Sequence, residues 1–378
     1  MAATAWVEAA VAATERTLLA AALALPGVLP GGAAAQAMPE GGLFAAKYLY
    51  YRDWQPGADR MTVKAPSFYL LAPFAQSWTA EGSLTFDAVS GASPLYFNVL
   101  SGASGEGIQD FRRAGDLKIS KYFDRWIVGA GAVISSEDDY LSRGGVFDLR
   151  WFTEDRNTTL AFSFGGAADV INSTNGVAAN ERRNTVEFLA GITQALSPTA
   201  IIQSNLTYSR GHGYYNDPYK SFDVRPDRRR ITAWLTRYNQ FFPTLDASLK
   251  VGYRYLDDSF GADSNMVEAS WVQALPSGFS VTPNLRYLSQ DAAWFYFDPP
   301  FPRGRVPDQP YTTDTRLSAF GAVTAGLLVA KTLPDGWTVD LKYEFYRQKS
   351  AWKLGGDGSP GLLPFSANWI QAGVAKAF

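Results

Sequence analysis

The chain has 378 residues and a net charge of −2 at pH 7, so it carries no bulk positive charge that would attract nucleic acid. It contains no cysteine, which excludes disulfides, thiol nucleophiles and Cys-based zinc or iron–sulfur sites. Apolar residues make up 47% of the chain and aromatic residues 14%, yet the mean hydropathy is slightly negative. Apolar and polar residues are therefore interleaved rather than gathered into blocks.

The N-terminal segment differs from the rest of the chain. The stretch TLLAAALALPGVLPGGAAAQA is nearly uncharged and ends in Ala-Gln-Ala at 35–37, which is an A-x-A cleavage pattern. It predicts a secretory signal peptide over residues 1–37, cleaved before Met38, and a mature domain over residues 38–378. A membrane anchor is the alternative, but the small-residue end and the Pro-Gly break at 26–27 favour the signal peptide.

The mature part of the chain alternates between apolar and polar residues. A period of two places each set on one face of a β-strand, whereas the same residues would scatter around a helix. The clearest segments are IQSNLTYS (202–209), TLDASLKVGYRY (244–255) and WTVDLKYEFY (337–346). In VTPNLRY (281–287), Pro283 lies on the apolar face and cannot donate to a strand ladder, which predicts a bulge.

Short and long connections follow one another along the chain. The short breaks lie at 74–77, 123–125, 154–157, 197–199, 242–244, 275–278 and 333–336. The longer polar, Gly-rich or Pro-rich connections lie near 54–60, 90–110, 136–143, 172–183, 211–229, 257–264, 298–313 and 355–364. This pattern predicts an all-β fold, a transmembrane antiparallel up-and-down β-barrel of about 16 strands with short periplasmic turns and long extracellular loops. A soluble β-helix or a propeller is the alternative, but no blade-length repeat is present.

A barrel of this size turns the polar face of each strand toward a wide lumen, where charged side chains stay hydrated. The charged residues on the predicted inward faces are Asp87, Asp116, Lys118, Asp148, Arg150, Glu187, Asp246, Lys250, Arg254, Glu268, Arg286, Asp340, Lys342 and Glu344. The mixture of signs indicates no strong charge preference. Two interpretations stay open: a lumen that passes small solutes, and a lumen closed by paired charges or by a loop.

The segment KSFDVRPDRRR (220–230) concentrates arginine, at Arg225, Arg228, Arg229 and Arg230. Guanidinium groups bind phosphate and carboxylate, so inside the lumen these residues would form a constriction that attracts anions. At the extracellular rim they would instead contact lipopolysaccharide phosphates or remain solvated, which is the favoured interpretation. Acidic clusters lie in predicted loops at Glu137, Asp138 and Asp139 and at Asp257, Asp258 and Asp263. They lack EF-hand spacing, which favours solvated loops over calcium sites.

The single histidine, His212, has Ser209 and Asp217 close in sequence. An outer-membrane hydrolase that uses these residues is one hypothesis, but a triad is defined by geometry, and a loop histidine without catalytic function is the favoured interpretation. No Gly-rich loop follows a strand and opens a helix, and one histidine cannot form a metal-ligand pair. The sequence therefore predicts no enzyme activity, no cofactor and no metal site.

Several loop and turn segments have distinctive sequences: YYRDWQPGADRM (50–61), DAVSGASP (87–94), SSEDDYLSRG (135–144), RWFTEDRNTT (150–159), GYYNDPYK (213–220), YRYLDDSFGADSN (253–265) and GGDGSPGLLPF (355–365). On these segments the mature chain resembles a family of bacterial exported proteins labelled as a domain of unknown function (family 3570). The resemblance implies an outer-membrane barrel and suggests a genomic neighbourhood of periplasmic redox and flavin-attachment proteins. It supplies no catalytic residues. It adds the hypothesis that the barrel is a sheath or adaptor for a periplasmic redox partner.

The chain ends in NWIQAGVAKAF (368–378), whose apolar residues share one face with Phe378 while Lys376 interrupts that face. We expect this closing strand to pair with the first strand near LFAAKYLYY (43–51), so that no sheet edge remains. Near the periplasmic boundary, the Lys376 ammonium can extend to the lipid headgroups. A C-terminal strand ending in phenylalanine resembles the signal read by the barrel-assembly machinery. The sequence thus predicts an exported porin-like passage for small solutes in a Gram-negative outer membrane, in contact with its lipid and lipopolysaccharide.

Overall fold

The computed structural model describes residues 37–91, 108–220, 223–298 and 309–378, and within these ranges the chain forms sixteen β-strands. They are β1 (Leu43–Gln55), β2 (Ala58–Phe74), β3 (Trp78–Gly91), β4 (Ile108–Tyr122), β5 (Trp126–Ser136), β6 (Tyr140–Phe152), β7 (Thr158–Ile171), β8 (Glu181–Ser197), β9 (Ala200–Gly213), β10 (Arg228–Phe242), β11 (Ala247–Asp258), β12 (Ser264–Ala274), β13 (Phe279–Gln290), β14 (Phe320–Thr332), β15 (Trp337–Lys349) and β16 (Phe365–Ala377). Each strand pairs antiparallel with its neighbours in chain order, and β1 pairs with β16, so the sheet closes. The predicted up-and-down barrel is confirmed.

The predicted signal peptide lies outside the described residues except for its last position, Ala37, and stays a prediction. Among the described residues, no helix is long and apolar enough to cross a membrane.

The outer wall of the barrel is apolar and its inner wall is polar. In β15, the exposed Val339, Leu341 and Tyr343 alternate with Asp340 and Lys342, which are less exposed. Successive side chains of a strand point to opposite faces, so the period of two in the sequence becomes the two walls. Large apolar residues exposed on the outer wall include Leu84, Leu117, Ile134, Phe162, Phe188, Leu206, Leu285, Leu341 and Ile370.

Both described termini lie at one end of the barrel, here named the terminal end; the opposite end is the loop end. The terminal end has the short turns that the sequence predicts. Two of them repeat one another in sequence, Leu-Pro-Ser-Gly at 275–278 and Leu-Pro-Asp-Gly at 333–336, and each turns through a left-handed residue followed by glycine with φ near 77° and 76°. A Cβ on Gly278 would lie 2.7 Å from the carbonyl oxygen of Thr332, so this turn requires glycine.

The loop end is less regular than the sequence predicts. The β1–β2 connection is the two-residue turn 56–57 and the β5–β6 connection spans 137–139, so long loops near 54–60 and 136–143 are wrong predictions. Proline followed by glycine with a φ of 81° is a turn signal, which explains the tight β1–β2 hairpin. The longer connections span 172–180, 214–227, 259–263, 291–319 and 350–364. The predicted loop near 90–110 lies mostly outside the described residues.

Pro283 causes no bulge, so that prediction is wrong. Ser270 lies opposite Asn284 and Gln273 lies opposite Val281, and the register is therefore the same on both sides of the proline. On its other side β13 pairs continuously with β14, where Pro283 faces Leu327. The missing N–H interrupts the ladder toward β12 without shifting it. Register shifts occur instead near the ends of hairpins, in β1–β2 and β8–β9.

The barrel closes through the pairing of β1 with β16, as the sequence predicts. The register runs from Leu43 opposite Ala377 to Trp54 opposite Ser366. Phe378 extends this pairing, because its backbone exchanges hydrogen bonds of 2.6 and 3.0 Å with Gly42. The Phe378 ring lies where a side chain at position 42 would be, and 64% of the residue stays exposed.

The main apolar core lies inside the mouth of the barrel at the loop end. Inward residues of β1, β2, β14, β15 and β16 contact residues of the connections 259–263 and 291–319. This mouth core comprises Tyr51, Met61, Val63, Ala65, Phe260, Ala262, Ala293, Phe295, Tyr296, Leu317, Phe320, Ala322, Tyr346, Leu362, Phe365 and Ala367. The Phe260 and Phe295 rings meet edge to face at 5.0 Å. The two connections therefore fold into the mouth and pack against its inner wall.

Candidate functional site: the lumen and its covered mouth

The structure places thirteen of the fourteen predicted lumen charges on inward strand faces, and the exception is Asp246. Asp246 lies in the exposed turn 243–246 with a φ of 48°, so the prediction for this residue is wrong. The period of two was carried past the end of the strand, although β11 begins at Ala247. The other predicted charges lie on eight different strands around the lumen.

Three charged side chains form a chain along the inner wall of β3, β4 and β6. Lys118 Nζ lies 3.0 Å from Glu81 Oε1 and 2.9 Å from Asp148 Oδ1. The strand between Lys118 and Asp148 presents Gly129, where a Cβ would lie 2.7 Å from Asp148 Oδ1. The pair therefore lies flat against the wall because the intervening residue has no side chain.

A second group on the inner wall centres on Glu344 of β15. Its carboxylate lies 2.6 Å from Lys342 Nζ and accepts hydrogen bonds of 2.8 Å from Asn284 Nδ2 and Trp369 Nε1. Gly326 of β14 lies beneath the Asn284 and Glu344 side chains. Glu344 thus has donors on both sides and stays against the wall.

The remaining inward ion pairs also lie along the wall. They are Lys47–Asp340, Asp87–Arg112, Asp169–Arg183, Arg229–Asp258 and Glu268–Arg286. Gly373 lies beneath Asp340 and Gly252 beneath Glu268. Among the described strand residues, every inward ion pair joins the same strand, adjacent strands or strands two apart. The charges pair along the wall, and none of these pairs reaches across the lumen.

Several members of these pairs were missed from the sequence: Lys47, Glu81, Arg112, Asp169 and Arg183. Each has the same parity as the polar residues of its own strand, so extending the period of two to the strand ends would have found them. Arg183 was placed in a predicted connection, 172–183, whereas β8 begins at Glu181.

Two connections meet above the lumen through a buried network of charges. Val224 and Tyr311 pair through backbone hydrogen bonds of 2.8 and 2.7 Å, which join connection 214–227 to connection 291–319. Asp314 is 1% exposed and accepts hydrogen bonds from Arg225 Nη2 and Arg316 Nε, each at 2.8 Å. The other contacts of this mouth network are Lys220–Asp314 at 3.3 Å, Arg316–Asp217 at 2.7 Å, Arg225–Asp223 at 2.8 Å, and Thr312 with Asp223.

Two acids of the mouth network, Asp314 and Asp217, remain ionised. Burial alone would raise the pKa of Asp314, but Arg316, Lys220 and Arg225 outweigh burial and hold that pKa well below its usual range. The pKa of Asp217 is lowered for the same reason, chiefly by Arg316 against the effect of burial. Burial would lower the pKa of the Arg316 guanidinium, but Asp314 and Asp217 raise it. Asp314, Asp217 and Arg316 therefore stay charged at neutral pH.

The four clustered arginines do not form one site. Arg225 lies in the mouth network, and Arg229 faces inward, where its Nη2 lies 2.5 Å from Asp258. Arg228 and Arg230 lie exposed on the outer wall. The hypothesis of a four-arginine constriction is therefore wrong, because a strand begins at Arg228 and alternates the last three residues between the two walls.

The acidic clusters and the histidine form no catalytic or metal site. Within the described parts of the chain, no group of three or more His, Cys, Asp or Glu residues could hold a metal ion. Asp139 is buried and accepts a hydrogen bond of 2.5 Å from the Tyr219 hydroxyl. Ser209 faces inward, whereas His212 faces outward with its Nδ1 3.4 Å from Asp227. The hypothetical triad is therefore split between the two walls.

Aromatic rings line the outer wall at the terminal end, and cationic side chains lie over several of them. Stacked or tilted pairs are Phe74–Trp78, Trp126–Trp151 and Phe242–Trp271. The cationic contacts are Lys121 over Trp78 at 5.0 Å, Arg125 over Trp151 at 5.2 Å, Lys331 over Phe279 at 4.4 Å and Lys376 over Trp337 at 5.4 Å. Amphipathic rings and long cations favour a boundary between lipid and water.

One family model matches most of the chain. The family model described as "Protein of unknown function (DUF3570)" matches residues 96–180 and 175–369. No curated protein matches the chain.

Solved structures with a similar fold differ widely in sequence. OccAB1 from Acinetobacter baumannii is 12% identical with a TM-score of 0.46, over 91% of this chain and 99% of that one. OpdO from Pseudomonas aeruginosa is 11% identical with a TM-score of 0.44, over 89% and 97%. The siderophore receptor PirA from Pseudomonas aeruginosa is 13% identical with a TM-score of 0.45, over 83% of this chain and 57% of its own length. These similarities concern the fold alone.

Proposed function

This chain belongs to the DUF3570 family of proteins of unknown function, and we propose that it forms a passage for small solutes across the outer membrane of a Gram-negative cell. The observation that supports the proposal is that the ion pairs of the inner wall join neighbouring strands, several of them over inward glycines, and that among the described residues none of these pairs spans the lumen. A barrel of sixteen strands encloses an aqueous channel unless loops fill it.

The outer wall supports the placement in a membrane. Exposed apolar residues surround the barrel, and an apolar surface of this extent is costly in water. Aromatic rings with adjacent cations mark the terminal end of that surface. Outer-membrane barrels keep short turns on the periplasmic side, which assigns the terminal end to the periplasm and the loop end to the exterior.

The mouth supports selection by size. The connections 214–227 and 291–319 meet above the lumen through Asp314 and its three cations, and the mouth core fixes the second of them to the wall. In their described parts, these connections pack at the loop end, where a solute would enter. Small hydrated solutes are therefore the substrate class, with little preference for either sign of charge.

Liposome swelling tests this proposal. Purified full-length protein is reconstituted into vesicles, and swelling rates are measured with sugars of increasing size. We expect fast swelling with pentoses and progressively slower swelling with di- and trisaccharides. The variant Gly129→Val adds bulk beneath Lys118 and Asp148 and should slow swelling. The matched control is the outward substitution Ala130→Val, which should leave the swelling rate unchanged. Vesicles that swell no faster than protein-free vesicles with every sugar would overturn the proposal.

A further inference from the structure

A group of arginines lies on the outer wall near the loop end. Arg182, Arg210, Arg228 and Arg230 are exposed on β8, β9 and β10, and their sequence neighbours Arg183, Gly211 and Arg229 face inward. Arg143 lies exposed on the outer face of β6. We name these five residues, Arg143, Arg182, Arg210, Arg228 and Arg230, the outer basic patch.

The strand register aligns the outer basic patch into rows. One row crosses five strands, from β10 to β6. Its residues, in order, are Arg228, His212, Asn184, Ala168 and Arg143. With about 4.8 Å between strands, the row from β6 to β10 spans roughly 19 Å. The patch is therefore wide enough to contact more than one anionic group of the same ligand.

The patch repels itself in the absence of an anion. Arg210 lies directly opposite Arg230, a position at which like charges on neighbouring strands are destabilising. Among the described residues, none of its five guanidinium groups forms an ion pair. The acids of this region are fewer than the arginines. Asp227 pairs with the outward His212, Asp258 faces inward toward Arg229, and Asp257 lies on the outer face of β11 opposite Thr232. An excess of positive charge therefore remains on this part of the wall.

A row of aromatic rings lies just below the patch, toward the middle of the wall. Its members are Phe147, Phe164, Phe188 and Tyr208, which face one another across four consecutive strands. The Phe164 and Phe188 rings are 4.9 Å apart. The row that lies between the Arg143–Arg228 row and the aromatic row begins with Gly145 and Gly166, which add no side chains to the wall, and ends with Arg210 and Arg230. On β6 and β7 the surface thus presents Arg143, a shallow strip and an apolar wall in that order, and Arg210 and Arg230 stand at the far end of the strip.

We propose that this surface binds lipid A, the phosphorylated glycolipid of the outer leaflet. The inference rests on the proposed placement in the outer membrane, which sets the loop end in that leaflet. Guanidinium groups bind phosphate through paired hydrogen bonds, so the two rows of arginine hold the phosphates. The sugars lie over the strip of small residues, and the acyl chains contact the aromatic row. Loss of Arg210 and Arg230 removes the pair at the centre of this site.

Native mass spectrometry of the full chain in detergent tests the inference, with bisphosphorylated lipid A as the probe. We expect wild type to retain lipid A and the double variant Arg210→Gln/Arg230→Gln to bind it at least about tenfold more weakly. The matched control is Lys64→Gln/Arg347→Gln, which removes two exposed outward cations from β2 and β15. This control should bind like wild type. Equal binding by all three chains would overturn the inference.

Two further measurements separate the possible failures. Monophosphorylated lipid A and phosphatidylglycerol should bind wild type more weakly than the bisphosphorylated form, and equal retention of all three would contradict a lipid A site. Sugar-induced swelling should be the same for wild type and for Arg210→Gln/Arg230→Gln, because the patch lies outside the lumen. A chain missing from the outer-membrane fraction contradicts the proposed function. If the chain is present there but its binding of lipid A does not depend on Arg210 and Arg230, only this inference is contradicted.

Discussion

The inner wall of the barrel has one apolar region and one charged region. At the loop end, β1, β2, β15 and β16 present apolar residues such as Tyr51, Met61 and Phe365, which are covered by loops and dry. Nearer the terminal end, the same wall presents Glu81, Lys118, Asp148, Asp340 and Lys342, which pair side by side. One region is filled by apolar packing, and in the other the charged side chains pair along the wall.

The two regions depend on charge in different ways. The mouth network is buried, so each ion needs its partners, and removal of one leaves the others uncompensated at high cost. The pairs of the lower wall are also little exposed, at 12% and 2% for the Lys118 and Asp148 side chains, but they lie on strands that the backbone ladders of the barrel hold in place. Substitutions in the mouth should therefore change loop order strongly, and substitutions in the lower wall should change mainly the conduction of solutes.

The largest effect is expected for Asp314→Asn. It leaves Arg225, Arg316 and Lys220 without their shared anion, which should destabilise the packed loops by about 3–5 kcal/mol. Hydrogen exchange should rise sharply in 214–220 and 309–319 while the strands remain protected. Asp124→Asn in an exposed turn is the control and should leave the exchange unchanged. Unaltered protection of both loop segments in Asp314→Asn would break the distinction between the two regions.

A smaller effect is expected in the lower wall for Gly129→Val. The new side chain displaces Asp148 and Lys118 from the wall at a cost of about 1–3 kcal/mol. The thermal unfolding midpoint should fall slightly, and hydrogen exchange at the mouth should match wild type. Increased exchange in 309–319 would show that the two regions are coupled.

Deletion of Phe378 tests the pairing of β1 with β16 that closes the barrel, which belongs to neither region. The deletion removes two backbone hydrogen bonds with Gly42, each contributing about 1 kcal/mol. We expect reduced amounts of folded barrel in the outer-membrane fraction, measured by heat-modifiable mobility on gels. Phe378→Tyr, which keeps the ring and the backbone, should assemble normally. Wild-type amounts of the truncated chain would exclude a role for Phe378 in assembly.

The smallest effect is expected for pH. Asp314 and Asp217 have pKa values below those of free carboxyl groups, so their contribution to loop stability is complete above about pH 4. That contribution is lost as the pH falls through the lowered folded-state pKa values. Protease sensitivity of the mouth loops should therefore be constant from pH 8 to pH 5 and rise at more acidic pH. Loop opening between pH 5 and pH 6 would contradict the network.

The sequence predicts one region much better than the other. The strands and most of the lumen charges follow from a period of two, which is local, so residues such as Asp340 and Lys342 could be placed correctly. The contact between Arg225 and Asp314 joins residues 89 positions apart, and no local pattern encodes it. The period of two misplaced Asp246 because it does not show where a strand begins. Arg228, Arg229 and Arg230 are adjacent in sequence, but a strand begins at Arg228 and directs them to opposite walls.

Single-channel recording of wild type and Asp314→Asn in planar bilayers tests the central claim most directly. The account predicts stepwise, ohmic conductance with weak ion selectivity for wild type. It predicts a larger conductance for Asp314→Asn, because the loops then leave the mouth while the charged wall stays in place. A barrel that inserts in folded form but conducts in neither chain would contradict the account, because the lumen would then be closed below the mouth.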